Sequence, residues 1–212
     1  MPPATVLALL SMLAGPHALP PSNWGRTPSA ERVVHLHILP CVGIDTAAVR
    51  VAQATAGKLL ESGGIQARWW DGSAADAGIA RESDEVVIQL VPYRNAERSD
   101  VSGEIVQRQQ TRAPMVIVYM PRLTELVRAF RSSGRSNPAL ATLRISDLLG
   151  LTLAHEVGHA LGLPHGSSGI MKARPGVEDI LKLKASRLAF LEPEGMRMRE
   201  AIRPRRVSAG GS

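Results

Sequence analysis

Residues 155–165 read HEVGHALGLPH, a stretch that fits the spacing HExxHxxGxxH. His155 and His159 are four positions apart, so on a helix they share one face about one turn from each other. Two imidazole nitrogens at that spacing can bind one metal ion. Glu156 follows the first histidine, and its carboxylate can reach a water on the same ion. The stretch therefore predicts a helix that carries a metal site.

The second half of the stretch supplies a turn and a third ligand. Gly162 can adopt the left-handed backbone conformation that ends a helix, and Pro164 keeps the helix from resuming. The chain can then bring His165 back to the same ion. Three neutral nitrogens with an open fourth position are typical of catalytic zinc, whereas structural zinc is closed by four protein ligands. The sequence predicts one catalytic zinc ion.

The motif and a following methionine resemble the metzincin clan of zinc endopeptidases. Within that clan, Gly158 and the run HALGLPH most resemble the matrixins. The resemblance covers residues 155–171 and implies a Met-turn at Met171 beneath the zinc. It also implies an α+β, zincin-like fold, with a twisted mixed sheet, flanking helices and a C-terminal helix.

Some features differ from the matrixin pattern. Gly166 follows the third histidine, no tyrosine follows Met171, and matrixin structural zinc and calcium loops have no match. The absence of a cysteine cluster after His165 argues against the archaemetzincin branch. The subfamily therefore stays open.

Length and composition predict one globular domain of 212 residues with 44% hydrophobic residues. We expect the catalytic domain to span residues 32–202. Residues 1–18 form a possible signal peptide, residues 19–31 a linker or arm, and residues 203–212 a basic, disordered tail.

Outside the motif, apolar periodicity predicts the remaining elements. Expected strands lie at 32–39, 65–70, 85–92 and 114–120, with a possible short edge strand around 105–106. Expected helices lie at 46–62, 123–131, 146–161 (capped by Ser146 or Asp147), 177–191 and 194–202, with a loop at 132–138. Along the motif helix, Gly150, Ala154 and Gly158 form a stripe of small residues, which predicts very close packing of a neighbouring element.

Charge and targeting signals limit the possible binding partners and the cellular location of the protein. The net charge is +6, and +5 of it lies from Lys172 onward, where ten basic and five acidic residues occur. We interpret this excess as a solvated helix face and a basic tail, with no nucleic-acid motif. The apolar run 4–14 favours a secreted or extracytoplasmic protein and is too short to span a membrane. No Lys or Arg precedes Arg26, so a cytoplasmic protein is the alternative.

Other candidate side chains receive ordinary structural roles. Cys41 has no cysteine partner in the chain, and we expect a half-buried structural thiol. His35 and His37 share one strand face and could bind metal, although paired strand histidines are more often structural. Trp69 and Trp70 should point to opposite faces of their strand, with one of them in the core.

Two functions follow from these patterns. The first is a zinc endopeptidase with a protein or peptide substrate, in which Glu156 is the general base. The second is a zinc-stabilised protein-binding module with little or no protease activity. A binding module needs the histidines but not the carboxylate, so the presence of Glu156 favours the enzyme.

Overall fold

The structure is a computed structural model that describes most of the predicted domain. The predicted signal peptide, linker and basic tail lie outside the described residues. These residues are 32–39, 41, 43–71, 85–93, 101–106, 113–134 and 137–202.

Among the described residues, five strands form one mixed sheet in the order β2-β1-β3-β5-β4. Strand β1 pairs in parallel with β2 and β3, β3 pairs in parallel with β5, and β4 runs antiparallel to β5. The strand β4 therefore lies at one edge of the described sheet, where the sequence predicted a short edge strand. The bounds are β1 Val33–Leu39, β2 Gln66–Asp71, β3 Glu85–Val91, β4 Gly103–Val106 and β5 Met115–Tyr119.

Helices flank this sheet, as expected for an α+β fold. Their bounds are α1 Thr46–Ser62, α2 Met120–Ser133, α3 Pro138–Ala141, α4 Ile145–Ala160, α5 Val177–Lys184 and α6 Glu192–Ala201. In the part of the chain that the structure describes, no helix combines the length and the apolar character needed to cross a membrane.

The hydrophobic core joins the sheet to α1 and α4. Along β1, Val34 and Leu36 are fully buried, in line with the alternation of a strand with one face on the core. The small residues of α4 allow α1 to approach closely. A Cβ atom at Gly150 would lie 2.8 Å from the carbonyl oxygen of Ala52 and 2.6 Å from Cβ of Thr55. The close packing predicted from the small-residue stripe is confirmed here.

The other face of β1 carries the strand histidines. His37 is buried, and its ring stacks on Trp70 with the centroids 6.3 Å apart. Trp69 packs against the core, whereas Trp70 is 52% exposed, so the two indoles point to opposite faces as predicted. Cys41 is half-buried and also packs against the core. Within the described residues, none of these histidine or cysteine side chains belongs to a cluster that could hold a metal ion.

The predicted end of helix α5 is wrong. The helix expected to continue to residue 191 ends at Lys184, because Ser186 adopts a left-handed conformation with φ of 54°. The N–H groups of Ser186 and Arg187 then donate to the carbonyl oxygens of Leu183 and Lys182, which closes the helix.

The start of helix α4 also differs from the prediction. It begins at Ile145, and Asp147 lies in its first turn rather than at the cap. The Asp147 carboxylate accepts a hydrogen bond from the backbone N–H of Arg144 and one from Nζ of Lys184 on α5. This side chain therefore both closes the first turn and joins two helices.

Two helices near residue 130 depart from the sequence expectations. Helix α2 begins at Met120 rather than at residue 123, with a proline in its first turn, where a missing N–H costs nothing. The short helix α3 was not predicted. It begins after Asn137, whose side chain accepts a hydrogen bond from the N–H of Ala139.

Candidate metal centre and active site

Helix α4 carries the first two predicted ligands and ends where the sequence expected. Gly162 has φ of +86°, a conformation that side chains disfavour. The N–H of Gly162 donates to the carbonyl of His159, and the N–H of Leu163 donates to the carbonyl of Gly158. This pair of bonds is the usual termination with a left-handed glycine. It reverses the chain and returns His165 toward the helix.

The three predicted ligands lie together. The ring centroids of His155 and His159 are 4.6 Å apart, those of His155 and His165 are 5.3 Å apart, and those of His159 and His165 are 4.5 Å apart. One ring nitrogen from each residue lies within 4.8 Å of the others. The first two rings are half-buried, whereas His165 is exposed.

Backbone carbonyls orient the two rings on α4. Nδ1 of His155 lies 2.8 Å from the carbonyl oxygen of Ile170, and Nδ1 of His159 lies 2.6 Å from that of Leu163. A carbonyl oxygen only accepts hydrogen bonds, so each Nδ1 carries the proton. In the neutral rings, both Nε2 atoms then present bare lone pairs, and these two atoms are 3.0 Å apart. Two lone pairs at that distance repel unless a cation lies between them.

The residues present fit a zinc ion. Two nitrogens bound to one tetrahedral zinc at about 2.1 Å lie about 3.4 Å from each other, close to the separation of the two Nε2 atoms. Burial lowers the pKa of His155 to about 4, despite the opposing hydrogen bond to Ile170, and burial also lowers the pKa of His159. Neutral imidazole is the form that binds metal. Among the residues described, no acidic or cysteine side chain joins the three histidines as a fourth ligand.

Glu156 lies beside this cluster, on the buried side of α4. The residue is only 5% exposed. Burial raises the pKa of the Glu156 carboxyl to about 7, and the negative charge of Glu104 raises it further. Glu104 itself accepts a hydrogen bond from the hydroxyl of Tyr119 on β5. The Glu156 carboxyl can therefore both accept and release a proton near neutral pH.

Met171 packs against α4 at Gly158, the residue before His159. It is fully buried, and a Cβ atom at Gly158 would lie 2.6 Å from its Sδ atom. The turn is held by a hydrogen bond from the N–H of Gly166 to the Met171 carbonyl. The preceding residue, Ile170, supplies the carbonyl that orients His155. The turn therefore both supports the helix and fixes one ring.

A cleft of about 260 Å³ opens beside His155, Glu156 and His165. One wall comes from the segment 101–103 that leads into β4. Most of the rest is apolar, with side chains from α2, α4 and the segment after α5. These apolar residues are Leu123, Leu126, Leu148, Leu151 and Leu188.

The segment after Met171 forms the polar part of the rim. Nζ of Lys172 lies 2.9 Å from Oδ2 of Asp179, and both residues line the cleft. The same carboxylate oxygen accepts a hydrogen bond from the N–H of Gly176, which precedes α5. Asp179 thereby connects Lys172, on the rim of the cleft, to the start of helix α5.

Sequence reasoning missed three of these residues. Gly103 and Glu104 approach Glu156 from an edge strand, and their proximity depends on strand pairing that no local pattern reveals. Asp179 reads in the sequence as an ordinary acidic residue in the first turn of a helix. The only local signal was its position three residues after Gly176, which suits a capping interaction.

Comparison with known proteins finds structural similarity alone. No model of a protein family matches the sequence, and no curated protein matches it. Several solved structures are similar, among them the archaemetzincin from Methanopyrus kandleri. That chain is 13% identical, the match covers 82% of this chain and 97% of that one, and the TM-score is 0.44. The matrixin branch favoured by the sequence has no support in these comparisons.

Proposed function

We propose that the protein is a zinc-dependent endopeptidase of the metzincin type. His155, His159 and His165 hold one zinc ion, and Glu156 is the general base. The observation that carries this proposal is the pair of bare Nε2 atoms 3.0 Å apart with a buried glutamate in the same helix turn. Support for the matrixin branch comes only from Gly158 and the run HALGLPH.

When bound, zinc with an open coordination position acidifies water and polarises a carbonyl oxygen. The chain's own residues handle the protons. The Glu156 carboxylate takes a proton from the attacking water and gives it to the leaving amine nitrogen. Its pKa near 7 suits both transfers at neutral pH. The carbonyls of Ile170 and Leu163 hold the two helix imidazoles in the tautomer that leaves Nε2 free.

The edge strand β4 supports a peptide as substrate. It pairs with β5 on one side, and the segment 101–103 lines the cleft beside Glu156. An extended peptide can add to such an edge through main-chain hydrogen bonds. A side chain next to the cleaved bond would then enter the part of the cleft lined by leucines. We therefore infer extended peptides with a large apolar residue at that position as substrates.

From the apolar run 4–14, we also propose that the enzyme is exported from the cytoplasm. Determining the N-terminal residue of the protein recovered from its native cells tests it. A start after residue 14 supports export, whereas an intact N-terminus on protein recovered from the cytosol supports the alternative.

The function is tested by the substitution Glu156→Gln, which keeps the shape of the side chain and removes the base. Wild type and variant are loaded with one zinc per chain and incubated with peptides from a proteome digest. We expect wild type to cleave, a chelator to stop cleavage, and the variant to keep zinc while losing at least about 100-fold in rate. If zinc-loaded wild type cleaves no peptide, the protein is instead a zinc-stabilised binding module.

A further inference from the structure

Strand β4 begins with a residue that lies directly against Glu156. A Cβ atom at Gly103 would lie 2.6 Å from Oε1 of Glu156, and 2.9 Å from both its Cδ and Cγ atoms. Real Cβ atoms essentially never come within 3.0 Å of a heavy atom from a distant part of the chain. The glutamate side chain therefore occupies the volume that a side chain at Gly103 would need.

The backbone conformation does not explain the glycine. Gly103 is not among the described glycines with positive φ, so its backbone suits other residues. Alanine would also lose less entropy in a strand than glycine does. The three nearest atoms to the added Cβ all belong to Glu156. A side chain at this position would therefore require Glu156 to move.

The backbone of Gly103 is held in place by the sheet. Gly103 pairs with Val118 of the adjacent strand β5, and the N–H of Tyr119 donates a hydrogen bond of 3.0 Å to the carbonyl of Ser102. A glutamate has several rotamers available, and the backbone of Gly103 excludes those that would bring the carboxylate closer to the strand. The edge strand consequently limits where the Glu156 carboxylate can lie.

We propose that Gly103 is a positioning residue for Glu156, and this proposal rests on the proposed function. Its missing side chain lets the paired backbone of β4 pack against the carboxylate and hold it beside the three histidines. A methyl group at position 103 pushes the carboxylate out of that place, because the strand is anchored and the side chain is not. Misplacing a catalytic group by about 1 Å can cost about 100-fold in rate.

The first test is a comparison of thermal denaturation in three backgrounds, each as the full chain with one zinc. Gly103→Ala is introduced into wild type, Glu156→Gln and Glu156→Ala. We expect the melting temperature to fall in the first two backgrounds, where the long side chain remains. In Glu156→Ala the clash is removed, and the fall should be at most half as large. An equal fall in all three backgrounds, or no fall in any, overturns the contact as the reason for the glycine.

The second test is kinetic, on the same zinc-loaded chains. We expect Gly103→Ala to lower kcat about tenfold or more, with KM changed by less than about twofold and one zinc retained. Gly57→Ala is the matched control, because a Cβ there meets only Nε1 of Trp69 at 3.9 Å. An unchanged kcat in Gly103→Ala overturns the positioning role. If the zinc-loaded wild type has no activity, the proposed function is wrong. The melting-temperature comparison alone then decides whether Gly103 positions the Glu156 side chain.

Discussion

The Sδ atom of Met171 lies 2.6 Å from the point where a Cβ at Gly158 would be. The turn after the third histidine and the helix that carries the first two are therefore in direct contact. Because Ile170, the residue before Met171, orients His155 through its carbonyl, this contact also affects the geometry of the proposed metal site.

We expect Gly158→Ala to destabilise the protein by up to about 2 kcal/mol, because the added methyl overpacks a site filled by Met171 at a cost of about 1–3 kcal/mol. The gain in helix propensity, about 1 kcal/mol, offsets only part of that cost. Urea denaturation measures the change. The control Gly57→Ala, also in a helix interior, has room for its methyl and should be neutral or stabilising. Equal stability of the two alanine variants would contradict the packing role of Gly158.

The raised pKa of Glu156 predicts a pH-dependent penalty in the metal-free chain. The folded pKa of about 7 exceeds the ordinary value of 4.5, so stability is complete below pH 4.5 and falls as the pH rises through 7. Compared with Glu156→Gln, wild type should lose about 3 kcal/mol between pH 4.5 and pH 8, since one pKa unit corresponds to about 1.4 kcal/mol. Urea denaturation with a chelator, at several pH values, measures this difference. A difference between the two chains that does not change with pH would rule out a buried, perturbed carboxyl.

Asp179 should stabilise the rim of the cleft. Burial raises its pKa, but hydrogen bonds from Lys172 and the N–H of Gly176 outweigh burial, and the net pKa is lowered. We expect Asp179→Asn to cost about 1–2 kcal/mol at pH 7, because the N–H of Gly176 and the partly exposed ammonium of Lys172 lose a charged acceptor. For a lowered pKa, the contribution is present above the ordinary value of 3.8 and is lost as the pH falls through the folded value. The gap between the two chains should thus narrow below pH 3.8, and a gap that persists there would count against the ion pair.

The sequence was most informative where the chemistry is local. The spacing of His155, Glu156 and His159 requires only a helix, and the return of His165 requires only a glycine turn at Gly162. The burial of the strands follows from alternation along single segments, as in β1. These features depend on neighbours in the chain, so one sequence suffices to predict them.

The features that were missed depend on long-range pairing or on weak local preferences. The approach of Gly103 to Glu156 follows from the pairing of β4 with β5 and from the packing of α4 on that edge. The early end of α5 depends on Ser186 taking a left-handed conformation, which is uncommon for a residue with a side chain. Leu188 and Phe190 beyond Ser186 are buried although their segment is not helical, so apolar periodicity did not distinguish a longer helix from an irregular segment.

The central claim is that three imidazoles bind one zinc ion and leave a position open. X-ray absorption at the zinc edge, on the full chain loaded with one zinc, measures the ligand set most directly. We predict three histidine nitrogens at about 2.0–2.1 Å and one oxygen from water. His165→Ala should reduce the histidine count to two. A site closed by a fourth protein ligand, or one whose ligand set is unchanged in His165→Ala, would contradict the account.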